Sequence, residues 1–318
     1  MPHLNPKASI IIATHDRSQL LRRAVESARA AGTDVEIVVV DDASTDETAK
    51  VCQSISGIKY VRTERNQRVA GARNIGLVAS RGEFISFLDD DDTRLANSLD
   101  AQIEALEREP QVGLIYARAI LGDQQGMAGA RSYPTDCPQG DIFWQLLTRN
   151  FIPCGSAVFR RSCLSRVGLL DDRIPGLDDW DLWVRIAEIY PMMAAEIPVI
   201  IWRRSTPVSG QGTSQSARLV AMSTQRFRNQ WMNLPRATAA PRPARRTAWR
   251  EFSENMAEHL IWESARALRC GQLRQALKDL SIIARLHPLA IMSIAEHRVL
   301  RVPRAGLPES LVSFSSQS

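Results

Sequence analysis

The stretch Phe84-Ile85-Ser86-Phe87-Leu88-Asp89-Asp90-Asp91-Asp92 ends a short apolar run in four consecutive carboxylates. Phe84, Ile85, Phe87 and Leu88 have the aromatic and branched character of a strand covered on both faces, and Gly82 breaks the chain just upstream. Four adjacent carboxylates repel one another, so an enclosed strand end needs a cation or an ordered set of donors to keep them ionised. A divalent ion meets that need. Mg²⁺ and Mn²⁺ take oxygen ligands, and Mg²⁺ is often held by one or two carboxylates while substrate phosphates complete the shell. The plainer alternative is a solvated acidic turn. A second apolar run that ends in acid, Val35-Glu36-Ile37-Val38-Val39-Val40-Asp41-Asp42, weighs against it, because ligands of open α/β sheets gather at the carboxyl ends of strands.

Outward from these two runs, strands and helices alternate. Ala8 to Ala13 reads as a central parallel strand, Ser18 to Ala31 as a helix stopped at Gly32, and Val35 to Val40 as the second strand. Glu47 to Ser54 follows as a helix capped by Thr45 or Asp46, then Ile58 to Val61 as a strand and Ala70 to Ser80 as a helix. This order predicts an α/β fold, Rossmann-like, with a mostly parallel sheet and helices on both faces. Further on, a helix is expected over Leu95 to Glu107, a strand over Val112 to Ala117, a mobile surface loop over Gly122 to Gly140 and a helix over Asp141 to Thr148. Ala157 to Phe159 and Ile197 to Ile201 read as strands, and Ser205 to Gly212 as a flexible flap. Between them, acids open a helix at Gly176 to Ala187, so Asp178-Asp179 sits at a helix N-terminus, where negative charge is favoured.

At 318 residues the chain is long enough for about two domains. Its net charge of +5 divides unevenly: residues 1–200 carry 22 Lys and Arg against 28 Asp and Glu, residues 201–318 carry 18 against 7. Between Arg203 and Arg250 there are ten arginines and no acid, and Pro235, Pro241 and Pro243 argue against long helices, so 208–245 reads as a basic linker or arm. Residues 246–318 read as a helical extension, an αα-hairpin with its turn at Cys270-Gly271 and a third helix over Leu289 to Val299. Five cysteines without a C-x-x-C indicate neither a disulfide framework nor a zinc site. The polar N-terminus and the lack of a long apolar run predict a cytoplasmic protein without a spanning helix.

Taken in order, Ser9 to Thr14, Val38 to Asp46, Asn66 with Ala72-Arg73-Asn74-Ile75-Gly76, Gly82 to Asp92 and Asp178-Asp179-Trp180-Asp181-Leu182 resemble the family 2 inverting glycosyltransferases of the GT-A fold. No single piece is specific; the five in this order and spacing are. The resemblance covers roughly residues 7 to 207, making 1–207 the GT-A domain. It implies a nucleotide-diphosphate sugar donor, commonly UDP-linked, a Mn²⁺ or Mg²⁺ ion, one carboxylate base, and a hydroxyl acceptor on a carbohydrate or lipid-linked sugar. By the same resemblance Asp42 and Thr14 line the nucleotide pocket, Asp90 lies near the ribose, Asp91 is the main metal carboxylate, Arg73 is a donor-side residue and Asp179 is the general base. The residues alone leave alternatives: an unbroken acid run does not say which member touches the ion, Arg73 can be a solvated helix residue, and Asp178-Asp179 can cap a helix.

Some positions depart from the family pattern. Ala13 and Ala96 stand where proline is usual, and Trp202-Arg203-Arg204-Ser205 falls where many relatives carry an Arg-x-His. Ser205 cannot replace that histidine, which leaves the charge to Arg203 or Arg204, or the ion to carboxylates and substrate alone. Two other classes fit less well. A phospho-accepting receiver domain needs a lysine downstream of its acids, and no lysine occurs between Lys59 and Lys278; a GT-A-shaped binding module without activity would not need both acid clusters intact. For the basic C-terminal region two readings stand side by side: peripheral contact with an anionic membrane surface, or charges that only balance the acidic front while the helices pack internally. Nucleic acid is set aside, since the basic arm adjoins a donor-sugar site and not a recognition module.

Overall fold

The computed structural model describes residues 5–203 and 216–287. In chain order the elements are β1 (Ala8–Thr14), α1 (Ser18–Ala30), β2 (Val35–Asp41), α2 (Thr48–Ser54), β3 (Lys59–Arg62), α3 (Arg68–Ala79), β4 (Phe84–Phe87), β5 (Thr93–Arg94) and α4 (Ser98–Arg108). Then come β6 (Leu114–Gly122), β7 (Ala128–Tyr133), α5 (Phe143–Thr148), β8 (Val158–Arg160), α6 (Leu164–Val167), α7 (Asp178–Ile189) and β9 (Met192–Trp202), followed by α8 (Ser216–Asn229), α9 (Pro235–Ala239), α10 (Arg242–Arg269) and α11 (Leu273–Leu286). The strands form one sheet in the order β3-β2-β1-β4-β8-β6-β9-β5, with β7 on β6. Its first half is parallel, as the alternating sequence predicts; β8 then runs antiparallel to both β4 and β6, which makes the sheet mixed.

Period-2 alternation sorts the apolar residues of the central strands between the two faces. Ile10, Ile12, Ile37 and Val39 join Leu21, Ala24, Val25, Leu99 and Ile103 of α1 and α4 in one buried cluster. The opposite face meets α3, and the approach there is so close that a Cβ on Gly76 would lie 2.3 Å from Ile11 Cγ2. Strand order reverses between β1 and β4, so the carboxyl ends of β1, β2 and β4 open on one edge. There Thr14 pairs with Asp41 and the Leu88 N–H donates to the Ile11 carbonyl at 3.0 Å.

Several elements differ from the sequence expectation. The loop expected from Gly122 to Gly140 contains β7. Asp123 Oδ1 accepts the N–H groups of Gln125 and Met127, and Gly126 takes φ +75°, which closes a hairpin inside a stretch rich in turn residues. The last strand, β9, begins five residues earlier than expected, at Met192. The segment 208–245, expected as a linker or arm, carries α8, α9 and the start of α10 among its described residues. Its prolines stand at helix starts, Pro235 and Pro243 in first turns, where they break nothing. The flap from Ser205 to Gly212 and the third C-terminal helix lie outside the described residues.

The chain divides into two compact units, Met1–Ile142 with Ile152–Gly210, and Phe143–Phe151 with Gln211–Ser318. In the second, α5 packs on α10, α10 and α11 form the expected hairpin, and Phe227, Trp249 and Phe252 stack between α8 and α10. All five cysteines are free thiols, and no helix among the described residues is long and apolar enough to cross a membrane.

Gly76→Ala should destabilise the first unit by about 1–3 kcal/mol, because Ile11 cannot yield without disturbing β1; chemical denaturation checks this. In the second unit, burial pushes the His259 imidazole from 6.5 down to about 4. The unfolded chain therefore takes up the proton first, and this residue's share of stability is intact above about pH 6.5 and lost as the pH falls through 4. Burial lifts Asp279 to about 6, with the opposite sign, so the two partly cancel in the wild type. His259→Gln isolates the first: its stability relative to wild type should rise by about 3 kcal/mol between pH 7 and pH 4 in urea titrations. A pH-independent difference would exclude this account.

Candidate active site

The edge where β1, β2 and β4 end gathers the acids. Asp41 ends β2 and Asp42 follows it, and both are buried. Asp41 is structural: Oδ1 accepts the Ser44 N–H, Oδ2 accepts the Tyr60 hydroxyl at 2.8 Å and pairs with Arg62 at 3.2 Å. Asp42 does not cap a helix. Its Oδ1 accepts the Gln67 N–H at 2.7 Å and the Thr63 hydroxyl at 3.1 Å, drawing the loop before α3 across the end of β2. The N-cap position of α2 is Glu47, and Asp46 just before it accepts the Thr48 N–H at 2.9 Å; its pKa settles at about 2 despite the opposing effect of burial. Ala43, next to Asp42, holds φ +59°, a conformation that costs a Cβ-bearing residue energy and that the surrounding contacts must impose. Thr14 lies on the neighbouring strand end with its hydroxyl buried and without a hydrogen-bond partner among the described residues.

After β4 each of four acids meets a different environment. Asp89 pairs with Arg73 at 2.6 Å and Asp90 with Arg17 at 2.6 Å, while Asp92 accepts the Arg203 N–H at 2.8 Å. Asp91 is 1 % exposed, and among the described residues neither of its carboxylate oxygens has a hydrogen-bond partner; Arg17 forms an ion pair with it at 3.7 Å. Burial, then the charges of Asp90 and Asp89, push Asp91 up to about 7, and burial raises Asp92 well above its ordinary value. Among the described residues no three His, Cys, Asp or Glu side chains form a ready-made metal cage. The donor set therefore fits an ion held by one carboxylate, Asp91, and completed by a diphosphate.

Arg73 is no solvated helix residue. It is 5 % exposed, lies 5.3 Å over the Phe87 ring, and bridges Asp89 to Asp178 with ion pairs of 2.6 and 2.9 Å. The N-terminus of α7 is thus tied to the end of β4. Asp178 spends its carboxylate on Arg73, Asp181 pairs with Arg185 at 2.8 Å, and Asp179, 1 % exposed, accepts its neighbour's N–H at Trp180. Facing this cluster, the turn Cys154–Ser156 is clamped by Arg94, a buried arginine without an acid partner among the described residues. Arg94 donates to the Gly155 carbonyl at 2.9 Å, to Ser86 at 2.8 Å and to Gln102, which in turn holds the Ser156 carbonyl at 2.8 Å. Burial alone lowers Arg94 to about 9.

The structure brings Thr14, Asp42, Asp90 and Asp91 to one edge and links Asp178-Asp179 to it through Arg73. Sequence reasoning passed over Arg17 and Arg94. Arg17 could have been found from its place on the loop after β1, the strand beside β4; nothing local marks Arg94.

A model of the Glycosyl transferase family 2 matches residues 9–168, half of the chain. UDP-Glc:alpha-D-GlcNAc-diphosphoundecaprenol beta-1,3-glucosyltransferase WfaP of Escherichia coli is 30% identical over 183 residues, 56% of this chain and 69% of that protein. Other curated relatives are longer, and the chain spans 32%, 29% and 58% of three of them. Among solved structures, the mannosyltransferase PcManGT from Pyrobaculum calidifontis in complex with GDP-Man and Mn²⁺ is similar at a TM-score of 0.60 and 19% identity, over 95% of this chain and 82% of that one. S. aureus TarS 1–349 in complex with UDP-GlcNAc is similar at 0.56 and 14% identity, over 90% and 92%. At these identities the structural likeness speaks to the fold, and together with the family match over the strands that carry the acids it leads to one conclusion: the chain belongs to the family 2 glycosyltransferases, enzymes built on the GT-A fold.

Proposed function

We propose that the protein is a metal-dependent inverting glycosyltransferase that moves a sugar from a UDP-linked donor to a hydroxyl of a lipid-linked saccharide. The observation that carries this reading is the Asp91 carboxylate, buried just after β4 with neither oxygen hydrogen-bonded among the described residues, one strand away from the Thr14 and Asp42 edge. Asp42 and Thr14 take the nucleotide base, Asp90 the ribose side, and Asp91 holds a Mn²⁺ or Mg²⁺ ion. Arg73, on the donor side, keeps Asp89 in register with α7. When bound, the ion supplies positive charge to the departing diphosphate.

Asp179 is the base. It takes the proton of the acceptor hydroxyl as that oxygen forms its bond to the anomeric carbon, while the bond from that carbon to the diphosphate oxygen breaks and its electron pair leaves with the nucleotide. Asp178 is held by Arg73 at 2.9 Å and fixes the N-terminus of α7. The name of the Escherichia coli relative supports a diphosphoundecaprenol-linked acceptor and a UDP donor. Such an acceptor lies in a membrane, and the arginines of 203–250, unaccompanied by acid, support a peripheral contact of the C-terminal unit with the cytoplasmic face.

Calorimetric titration of UDP should give higher affinity with Mn²⁺ than without, and Asp91→Ala should abolish that difference; equal affinities in the wild type would exclude the shared ion. Asp179→Asn should leave UDP binding nearly intact and lower turnover about 10²-fold or more, the usual scale for a lost general base. If Asp178→Asn is the crippling change and Asp179→Asn is mild, the base is Asp178.

A further inference from the structure

The C-terminal unit holds an open cavity of about 390 Å³ where the end of α8, the turn 231–233 and the first turns of α10 meet. Its rim is Arg228, Arg242, Arg245 and Arg246, and its floor is Phe227, Met232 and Trp249. The floor is fixed: Phe227 and Trp249 both stack on Phe252, at 4.4 and 5.9 Å between ring centres, and Arg228 lies 4.3 Å over the Trp249 ring.

No acid lines this cavity, and among the described residues none of the four guanidinium groups forms an ion pair. Elsewhere in the same unit arginines do find acids, Arg250 with Glu254 at 3.9 Å and Arg266 with Glu263 at 2.6 Å. Four cations around one concavity repel one another until an anion with several acceptor oxygens enters, and the guanidinium fork matches the oxygens of a phosphate. The half-buried indole beside them belongs to the class of side chain that prefers the boundary between headgroup and acyl chain. The chain that carries these four is also strongly basic, with eight arginines and no acid over residues 216–250, more positive charge than one small phosphate requires.

We propose that this cavity receives the phosphate headgroup of an anionic phospholipid and so sets where the C-terminal unit meets the bilayer. The proposal rests on the membrane contact put forward above and names its site. Arg228, Arg242 and Arg246 are exposed and engage the headgroup oxygens; Trp249 and Met232 cover the glycerol end.

The test is cosedimentation of the full-length chain with vesicles of phosphatidylcholine alone and with about one-third phosphatidylglycerol, at low and high salt. Binding should require the anionic lipid and weaken with salt. The triple variant R228Q/R242Q/R246Q should lose about tenfold or more in partitioning, whereas R269Q/R274Q/R285Q, which removes the same charge from exposed positions outside the cavity lining, should lose far less. Far-UV circular dichroism confirms that both variants fold. Equal losses in the two triples overturn the assigned site, and failure of the wild type to bind at low salt overturns the membrane contact itself. Saturation by glycerol 3-phosphate at micromolar concentration would make this a soluble-phosphate site, and tighter binding of a 20-nucleotide single strand would make it a nucleic-acid site; either overturns the proposal. Partitioning is read without donor or acceptor, so its outcome does not depend on the transferase reading.

Discussion

Repulsion among carboxylates governs the edge of this sheet. Asp89, Asp90, Asp91 and Asp92 follow one another without a spacer, and the fold answers by giving three of them separate partners: Arg73, Arg17 and the backbone N–H of Arg203. Each partner comes from a different element, α3, the loop after β1 and the end of β9, so the arrangement exists only when those elements are already in place. Asp91 is the remainder. Its proton affinity rises to about 7 because burial and two neighbouring acids disfavour its charge, and a site of that kind favours any ligand that brings positive charge.

The same logic links the two acid clusters. Arg73 carries one charge and serves two carboxylates, one after β4 and one on α7, 105 residues apart in sequence from Arg73 to Asp178. A shift of α7 therefore changes the electrostatics at β4, and the reverse. Arg94 performs a related task without any acid. Removing an arginine from water is costly, and here the return is a rigid turn, 154–156, whose carbonyls are fixed by Arg94 and Gln102.

Much of this was legible in the chain because it is written locally. The apolar runs of β1, β2 and β4, the acids that end them and the helix starting at Asp178 lie within short windows, and periodicity with charge suffices to read them. What escaped is non-local: Arg17 reaches Asp90 across 73 residues and Arg94 reaches Gly155 across 61, and neither arginine differs locally from the many others in the sequence. The basic stretch after Arg203 was misjudged for another reason. Its prolines look like helix breakers in composition, but two of them occupy first-turn positions, where the missing N–H costs nothing. The hairpin of β6 and β7 escaped because its turn chemistry, Asp123 to Gly126, sits inside a longer run of turn-forming residues.

The detour of the chain through Phe143–Phe151 bears on how the protein is made. Helix α5 buries Phe143, Leu146 and Leu147 in the second unit, where Asn255 of α10 donates to the Thr148 carbonyl at 3.2 Å and Arg236 lies over the Phe143 ring. During synthesis α5 leaves the ribosome about a hundred residues ahead of that part of α10, which at typical elongation rates is an interval of roughly 5–20 s. For that time an apolar helix emerges from a half-built catalytic unit with nothing of its own to cover it. The order of synthesis thus differs from the order of packing: α5 exists for that interval without the α10 surface that buries it.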